Sequence, residues 1–351
     1  MVKNIRFGII GVGGTIRKTT NVLAGEAGAK LVALADPSTA RRESALEGTK
    51  GVKVFDDYHE MLDKCDLDAV CIGLPTWMHT QATQEAMENG CHVLCEKPPT
   101  NNAEEMKELA NLASSKELTY MFVRQTRFSY RLMEGRRLVQ AGKLGDVYYA
   151  DTKWIRTRWC SGKGWRHDKD KGGGVLVDLG IHAIDNAWFM MGCPRPTEVS
   201  AGLYCQFADL APADQVYTAD DAAIGFVRFE DASVLQFAVA FSLNTAHNAP
   251  TPVKAGDAVK SEYQEVKLYG TKGGIEGNNL LVGTPKGVKI KPLKSPKEQQ
   301  DSITLQTREF IRAIREKDEP ISSASQAVML MQMLDGAMKS SEIGKTVPIS
   351  P

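Results

Sequence analysis

Two short segments of this 351-residue chain carry side chains that can move protons. In the first, Glu96-Lys97-Pro98, a lysine directly follows the apolar run His92 to Cys95. In the second, three consecutive glycines from Gly172 precede Asp178 and His182. A lysine, or a histidine oriented by a carboxylate, is a common general acid or base. We therefore expect acid–base chemistry at these positions.

The second segment has the spacing of one face of a helix. If it is helical, Asp178, His182 and Asp185 lie at i, i+4 and i+7 and form one polar stripe. An apolar stripe lies beside it: Val177, Ile181, Ile184, Trp188 and Met191. The polar stripe is typical of a base with an orienting carboxylate, but a buried polar pair would show the same pattern. A zinc site is a further alternative, yet one histidine and no evident third ligand lead us to predict no metal.

The first hundred residues carry the pattern of a dinucleotide-binding unit. An apolar strand over 4–10 leads into a glycine-rich turn from Gly11 to Ile16, a helix over 16–27 and a strand over 30–35 that ends at Asp36. The glycines let the backbone approach a pyrophosphate, and the helix N-terminus donates N–H groups to it. An acid about twenty residues further on suits the ribose hydroxyls. We therefore predict a bound nicotinamide dinucleotide.

Asp36 favours NAD over NADP, because a carboxylate would repel a 2′-phosphate. Arg41, with Ser38 and Arg42 nearby, leaves NADP possible. Ile16 occupies the place of the third glycine in the usual fingerprint. We expect that change to loosen the packing of helix on strand rather than the phosphate contact.

Lys97 has two interpretations. A lysine after a strand is usually a solvated residue, but here Pro98 and Pro99 fix the direction of the chain. Ligands of open α/β sheets bind at the carboxyl ends of the strands, where Lys97 would lie. Beside a cationic nicotinamide its pKa would fall, which makes it a plausible proton carrier. The sequence leaves open whether Lys97 or His182 is the final base.

The periodicity of the chain changes near residue 124. Alternating strands and helices over 1–123 predict a Rossmann domain, an α/β unit with a doubly wound parallel sheet. Over 124–351 we predict an α+β domain on a largely antiparallel sheet, since the segments 146–156, 197–208, 222–230, 233–242 and 262–269 are strand-like. Two amphipathic helices at about 305–341 would close this domain. We expect exposed loops over 244–260 and 283–300.

Composition excludes several classes of protein. Lys+Arg and Asp+Glu are both 43, so nothing indicates a nucleic acid or an anionic membrane as partner. No apolar run approaches the roughly 20 residues of a membrane span. The seven cysteines are an odd number without a Cys-x-x-Cys pair, as is usual for reduced thiols. The N-terminus enters a strand directly, so we expect a cytoplasmic protein.

Four motifs together indicate a family. They are Gly-Val-Gly-Gly at 11–14, Leu-Pro-Thr-x-x-His at 74–79, Glu-Lys-Pro at 96–98, and Gly-Gly-Gly-x-x-x-Asp-x-Gly-x-His-x-x-Asp at 172–185. In this combination the chain resembles the glucose–fructose oxidoreductase / inositol dehydrogenase (Gfo/Idh/MocA) family over almost its whole length. The resemblance implies hydride transfer between NAD(P) and a ring secondary alcohol or ketone of a sugar, sugar derivative or inositol.

The resemblance also implies residue roles. Lys97 would contact nicotinamide and substrate, His182 would be the acid/base, and Asp178 would hold a substrate hydroxyl. The expected cofactor residues are Gly11, Gly13, Gly14, Thr15, Ile16, Asp36, Arg41, Leu74, Pro75, Thr76, His79, Glu96, Lys97 and Gln125. The expected substrate residues are Lys97, Arg127, Arg156, Trp165, Arg166, Asp178 and His182, with Arg158 as a further candidate. At the start of a helix, His79 also fits a capping or packing role.

Two rival functions remain at this point. A relative with tightly bound NAD could oxidise and re-reduce a sugar so that elimination or glycoside cleavage occurs without net redox change. A non-enzymatic NAD sensor is the other, although the intact trio of Lys97, Asp178 and His182 argues against it. The resemblance further implies a homodimer or homotetramer formed through the outer face of the second sheet. An aromatic residue with arginines beside it suits a polyol substrate, including an acidic one.

Overall fold

The computed structural model describes residues 4–47, 49–159, 165–246, 260–296 and 298–350. The chain forms two compact units. The first consists of Met1–Phe128 and Glu298–Met331, and the second of Ser129–Lys297 and Gln332–Pro351. Among the described residues, no helix combines the length and the apolar character needed to cross a bilayer.

The first unit contains the predicted parallel sheet. Its strands are β1 (Ile5–Ile10), β2 (Ala29–Ala35), β3 (Lys53–Phe55), β4 (Ala69–Ile72), β5 (His92–Cys95) and β6 (Tyr120–Phe122). The helices between β1 and β6 are α1 (Ile16–Gly25), α2 (Thr39–Ala45), α3 (Tyr58–Lys64), α4 (His79–Glu88) and α5 (Ala103–Ser115). The order is β3-β2-β1-β4-β5-β6, and every described pairing is parallel. This confirms the doubly wound fold.

The rest of the chain builds a second sheet and the closing helices. The elements are α6 (Tyr130–Gln140), β7 (Val147–Thr157), α7 (Ile181–Met191), β8 (Pro196–Tyr204), β9 (Ala222–Phe229), β10 (Val234–Leu243), β11 (Glu262–Gly270), β12 (Gly273–Glu276), β13 (Asn279–Thr284), β14 (Gly287–Pro292), α8 (Ser302–Glu316), α9 (Ala324–Ile343) and β15 (Val347–Pro348). The strand order is β14-β13-β12-β11-β7-β10-β9-β8-β15. Among the described pairings only β7 with β10 is parallel, which confirms a largely antiparallel sheet.

The compact units divide the chain differently from the predicted boundary at 123/124. Helix α8, which the sequence assigned to the second domain, belongs to the first unit. The cause is its apolar face: Phe310 meets Phe7 of β1 edge to face at 6.1 Å, and Ile311 is buried in the same core. Burial of such a face is what fixes the place of a helix.

Of the two exposed loops predicted from the sequence, one contains a strand and the other lies mostly outside the described residues. The predicted loop at 283–300 contains β14, whose residues are exposed on both faces and so show no hydrophobic alternation. Helix α2 was not predicted; Ser38 caps it by accepting a hydrogen bond from the Arg41 N–H at 3.4 Å. The predicted loop at 244–260 lies mostly outside the described residues.

Helix α7 forms the core of the second unit. Every residue of it except Asn186 is buried. One face of the sheet covers it, with the Thr152 hydroxyl donating to the Ala183 carbonyl at 3.1 Å. The predicted amphipathic stripes are therefore corrected: the helix is enclosed on nearly all sides, and it is preceded by a π-helical turn, Leu176–Gly180, rather than a continuous α-helix.

Candidate active site

The glycine-rich turn of the first unit lies against the end of β4. The Gly13 N–H donates to the Gly73 carbonyl at 3.1 Å. A Cβ on Gly13 would stand only 2.4 Å from that carbonyl oxygen, so no side chain fits there. The glycine thus serves the close approach of two backbones.

Ile16 does not loosen the packing of α1, contrary to the expectation from the sequence. Ile16 is fully buried. If Gly73 carried a side chain, its Cβ would stand only 2.9 Å from the Cβ of Ile16. The glycine that allows close packing of helix on sheet therefore stands on the strand side of the contact, at the end of β4. The sequence showed Gly73 but not its position opposite Ile16.

Asp36 is held by the backbone at the end of β2. Its Oδ2 accepts a hydrogen bond from the Val12 N–H and its Oδ1 one from the Ser38 N–H, both at 2.9 Å. Its carboxylate is thereby fixed beside the glycine turn. A cavity of about 330 Å³ adjoins it, and five predicted cofactor residues line that cavity: Gly11, Asp36, Arg41, Leu74 and Pro75.

Two further carboxylates line this cavity, and neither residue was predicted from the sequence. They are Asp56 and Asp57. The Arg42 guanidinium lies 2.5 Å from Asp56, whereas Arg41 is largely exposed and stands 4.0 Å from Asp36. Hydrogen bonds from the His59 backbone and ring hold the pKa of Asp57 below its usual value. Such a set of acceptors suits ribose hydroxyls and opposes an added phosphate.

Glu96 joins the end of β5 to the start of α1. Its Oε1 accepts from the Thr15 N–H at 2.6 Å and its Oε2 from the Lys97 N–H at 3.1 Å. Thr15 provides no side-chain cap of its own, so Glu96 satisfies one of the free N–H groups of the helix. Gly14 leaves room for this carboxylate, since a Cβ there would stand 2.8 Å from Glu96 Oε1. Half-buried Lys97 follows directly, and its peptide bond to Pro98 is cis.

His79, predicted to line the cofactor, has both ring nitrogens turned to backbone carbonyls. Nδ1 lies 2.7 Å from the Pro98 carbonyl and Nε2 2.8 Å from the Leu74 carbonyl. Burial lowers its pKa, but Cys95 and these two carbonyls outweigh that effect and raise it to about 9. Because carbonyl oxygens only accept hydrogen bonds, the imidazolium form donates both of them and joins the segments after β4 and β5. These contacts support the packing role of His79, and its predicted cofactor contact stays a prediction.

Three predicted residues occupy turns of the first unit. Thr76 is half-buried in a 3₁₀ turn, Thr76–Met78. Gln125 has a buried Oε1 without a hydrogen-bond partner among the described residues, so it can receive a ligand donor. Arg127, predicted to contact substrate, is instead fully buried, and its guanidinium donates to the Ile321 carbonyl at 2.6 Å and contacts Gln326. The guanidinium is thus engaged within the first unit, and the predicted substrate contact of Arg127 stays a prediction.

In the second unit, four predicted residues meet around one cavity of about 440 Å³. They are Arg156, Arg166, Asp178 and His182. The other lining residues are Trp154, Trp159 and Leu179, which the sequence analysis had not selected. Trp165 is not among them, although the Arg166 guanidinium lies 5.5 Å from its ring. Arg158 is occupied elsewhere by Asn244 and Asp209.

Side-chain contacts order this second cavity. Arg166 Nε donates to Asp178 Oδ2 at 3.1 Å. The indole of Trp154 lies 5.7 Å from the His182 ring, at an angle of 51°. The Arg156 guanidinium lies 4.5 Å from the Trp159 ring. The cavity thus offers a carboxylate, an imidazole and flat apolar surfaces, which together can orient and deprotonate a ring hydroxyl.

Asp220 fixes the start of the helical segment that carries Asp178. Its Oδ2 accepts from the Leu176 N–H and its carbonyl from the Val175 N–H, each at 2.9 Å. Gly174 has φ +131°, and a Cβ there would stand 2.2 Å from Asp220 Oδ1. Burial raises the pKa of Asp220 to about 6, although the hydrogen bonds oppose this. No local pattern in the sequence connects residue 220 with this segment.

Comparison with known proteins extends these observations. The NAD-binding Rossmann fold of an oxidoreductase family, GFO_IDH_MocA, matches residues 5–123, and the C-terminal alpha/beta domain of the same family matches residues 136–349. The D-glucoside 3-dehydrogenase of Escherichia coli K12 is 28% identical over 335 residues, which cover 91% of this chain and 90% of the relative. The inositol 2-dehydrogenase of Rhizobium meliloti is 25% identical over 344 residues, 96% of each chain.

Solved structures share the fold over the full length. An oxidoreductase domain protein from Kribbella flavida has a TM-score of 0.84 at 22% identity, covering 99% of this chain and 100% of its own. Levoglucosan dehydrogenase in complex with NADH and levoglucosan has a TM-score of 0.83 at 19% identity, with the same coverage. Because both halves of the chain match their family models in order, this protein belongs to the GFO_IDH_MocA oxidoreductase family with its NAD-binding Rossmann fold, as the motifs predicted.

Proposed function

We propose that this protein is an NAD-dependent dehydrogenase that moves hydride between nicotinamide and a ring secondary alcohol or ketone of a sugar, sugar derivative or inositol. The observation that carries the proposal is the second-unit cavity, where Asp178 and His182 lie beside tryptophan surfaces. Relatives named for activity on a D-glucoside and on inositol support the substrate class.

The residues of the first unit fit a dinucleotide. The turn from Gly11 to Gly14 offers a glycine-rich backbone that can approach a pyrophosphate, and Asp36 presents a fixed acceptor for ribose hydroxyls. Gln125 Oε1 is a buried acceptor that can take an N–H of the nicotinamide carboxamide. When bound, the nicotinamide ring supplies the hydride acceptor. Asp36 together with Asp56 and Asp57 supports NAD rather than NADP, because three carboxylates at one cavity oppose a 2′-phosphate.

The proton of the substrate hydroxyl goes to a residue of this chain. Asp178, oriented by Arg166, accepts a hydrogen bond from the substrate, and His182 takes the proton as hydride leaves the carbon. Lys97 is the second candidate acceptor. Its meeting with Asp178 and His182 stays a prediction, which rate measurements on Lys97 and His182 variants test.

The open face of the second sheet supports assembly into a homodimer or homotetramer. Ile224 and Phe226 of β9 are 43% and 48% exposed on the face away from α7, and Ile290 of β14 is 68% exposed. A ladder of ion pairs, including Lys153 with Asp151, adjoins them. Apolar side chains with complementary charges beside them are typical of a subunit interface.

An assay that follows the absorbance of NADH tests the proposed dehydrogenase activity. The purified protein is supplied with NAD⁺ and a panel of aldoses, methyl glycosides, polyols and inositols, and the formation of NADH is followed. We expect NADH formation with at least one cyclic polyol or sugar and little with NADP⁺. Cleavage of a glycoside without any NADH signal would replace the proposal with redox-neutral sugar chemistry.

A further inference from the structure

We propose that Glu262 sets the charge preference of the second-unit cavity, so that the enzyme accepts uncharged pyranose substrates and discriminates against their uronate counterparts. This inference rests on the proposed dehydrogenase function and adds the class of substrate and the residue that selects it. Glu262 does not line the cavity itself; it acts through two residues that do.

Glu262 is the first residue of strand β11, which borders β7 in the second sheet. Strand β11 pairs antiparallel with β7 in a register that sets Glu262 opposite Arg156. Glu262 Oε2 lies 3.2 Å from Arg156 Nε, and Oε1 accepts from the Trp154 indole N–H at 2.6 Å. One carboxylate therefore holds a cation and an aromatic ring of the cavity at the same time.

Both guanidinium groups that line the cavity are paired with carboxylates, which determines the charge that a substrate meets. Arg156 contacts Glu262, and the other guanidinium of the cavity, Arg166, contacts Asp178. Burial raises the pKa of Glu262, but the hydrogen bonds from Trp154 and Arg156 outweigh it, so the pKa lies below its usual value. Glu262 is thus a carboxylate at neutral pH. A substrate carboxylate would have to compete with Glu262 for Arg156, and it would meet like charge.

Two tryptophan side chains provide the surface on which a substrate ring can bind. The indoles of Trp154 and Trp159 give flat apolar walls, and the Trp154 ring lies 5.7 Å from the His182 ring. The C–H face of a pyranose ring is apolar and packs on such rings, while its hydroxyls point to the polar groups at the edge. A sugar stacked on Trp154 would therefore present a hydroxyl near His182. Because Glu262 accepts the hydrogen bond from the indole N–H, it also holds the Trp154 ring in the orientation needed for stacking.

The test compares two substrates that differ only at C6: methyl β-D-glucopyranoside and methyl β-D-glucopyranosiduronate. The variant is Glu262→Gln, whose amide oxygen still accepts from Trp154 but leaves the Arg156 charge uncompensated. We expect the ratio of kcat/KM for the uronate to that for the neutral glycoside to rise about tenfold, mainly through KM. The size is limited because the Glu262 side chain is 44% exposed and partly screened by water.

Two variants serve as controls. Glu230→Gln removes the carboxylate of another Arg–Glu pair, with Arg195 at 3.0 Å, which does not line the cavity, and should leave the ratio unchanged. Arg156→Gln combined with Glu262→Gln should cancel the gain for the uronate, because the gain requires the freed guanidinium. Thermal unfolding of each variant shows whether it is folded.

Equilibrium binding separates this inference from the proposed function. Tryptophan fluorescence titrations with both glycosides, without turnover, should show wild-type preference for the neutral one and a shift toward the uronate in Glu262→Gln. A preference of the wild type for the uronate, or a shift below twofold in the folded variant, would overturn the inference. Binding that follows the expected pattern without any NADH formation would instead count against the dehydrogenase function alone.

Discussion

The two units fix their polar groups by different means. In the first, the key carboxylates accept hydrogen bonds from backbone N–H groups: Asp36 from Val12 and Ser38, and Glu96 from Thr15 and Lys97. In the second, the groups that face the cavity are held by other side chains, as Asp178 is by Arg166 and Trp154 by Glu262. Backbone donors tolerate changes of side chain around them, whereas a side-chain pair is lost with either partner. Groups held by the backbone suit a ligand that does not vary. Groups held by side-chain pairs suit a ligand that varies.

The largest expected effect comes from removing the lysine that the first unit would bring to the chemistry. For Lys97→Ala we expect kcat to fall about a hundredfold or more, because proton transfer contributes to the transition state. The affinity for NAD should stay within about tenfold. Stopped-flow NADH formation and NAD titration measure the two quantities.

Lys107→Ala, on the exposed side of α5, is the matched control and should behave as wild type. His182→Asn separates the two candidate bases, since the true acceptor is the one whose loss removes the pH dependence of kcat. Near-normal turnover in Lys97→Ala would restrict the chemistry to the second unit.

Asp220 sharpens the comparison, because here the second unit uses the same carboxylate-to-backbone contact to hold its helical segment. Its pKa is raised from 3.8 to about 6 in the folded protein, so the native state binds the proton more readily than the unfolded chain. The associated stability is present below pH about 4 and is lost as pH rises through about 6.

We expect Asp220→Asn to flatten the pH dependence of the free energy of unfolding between pH 4 and 6, by on the order of 2 kcal/mol. Urea unfolding at several pH values measures it. A wild-type slope retained in the variant would assign the pH dependence to other groups.

The backbone-held Asp36 tests the first unit. For Asp36→Ala we expect the preference for NAD over NADP to fall about tenfold, since one charge that opposes the 2′-phosphate is lost while Asp56 and Asp57 remain. Ratios of kcat/KM for the two cofactors measure this preference. Unchanged selectivity would mean that Asp56 and Asp57 suffice.

The smallest effect on rate should come from the open sheet face. Phe226→Glu places a charge at the exposed centre of β9 and should convert the assembly to smaller species in light scattering, with kcat within about twofold. A monomeric wild type would refute the proposed assembly. Val216→Glu, which makes the same change of charge at an exposed position outside β9, is the control.

Local patterns predicted much of this molecule. The helix Tyr58–Lys64 and the strand His92–Cys95 follow from short-range periodicity and end at the residues expected from the sequence. The glycine turn with Asp36 likewise depends on one contiguous stretch. Strand β14, with every residue exposed, gave no such signal.

The second cavity depends on contacts that no local pattern encodes. Trp154 reaches His182 only because β7 packs beneath α7, and Glu262 reaches Trp154 through the register of β11. Arg127 is the opposite case. Its position in the sequence suggested a ligand contact, but its guanidinium is hydrogen-bonded to the segment at the start of α9. Long-range pairing decides which of several plausible side chains is available.

The discontinuity of the first unit has a consequence for synthesis. All six of the strands described for it leave the ribosome early, but α8, whose Phe310 packs on Phe7, follows almost three hundred residues after the start. Until α8 emerges, a patch of the nascent core that surrounds Phe7 has no cover, and such exposed apolar surface favours aggregation. A transcript cut short before residue 298 lacks α8, so we expect its nucleotide-binding unit to aggregate more readily than the full-length protein.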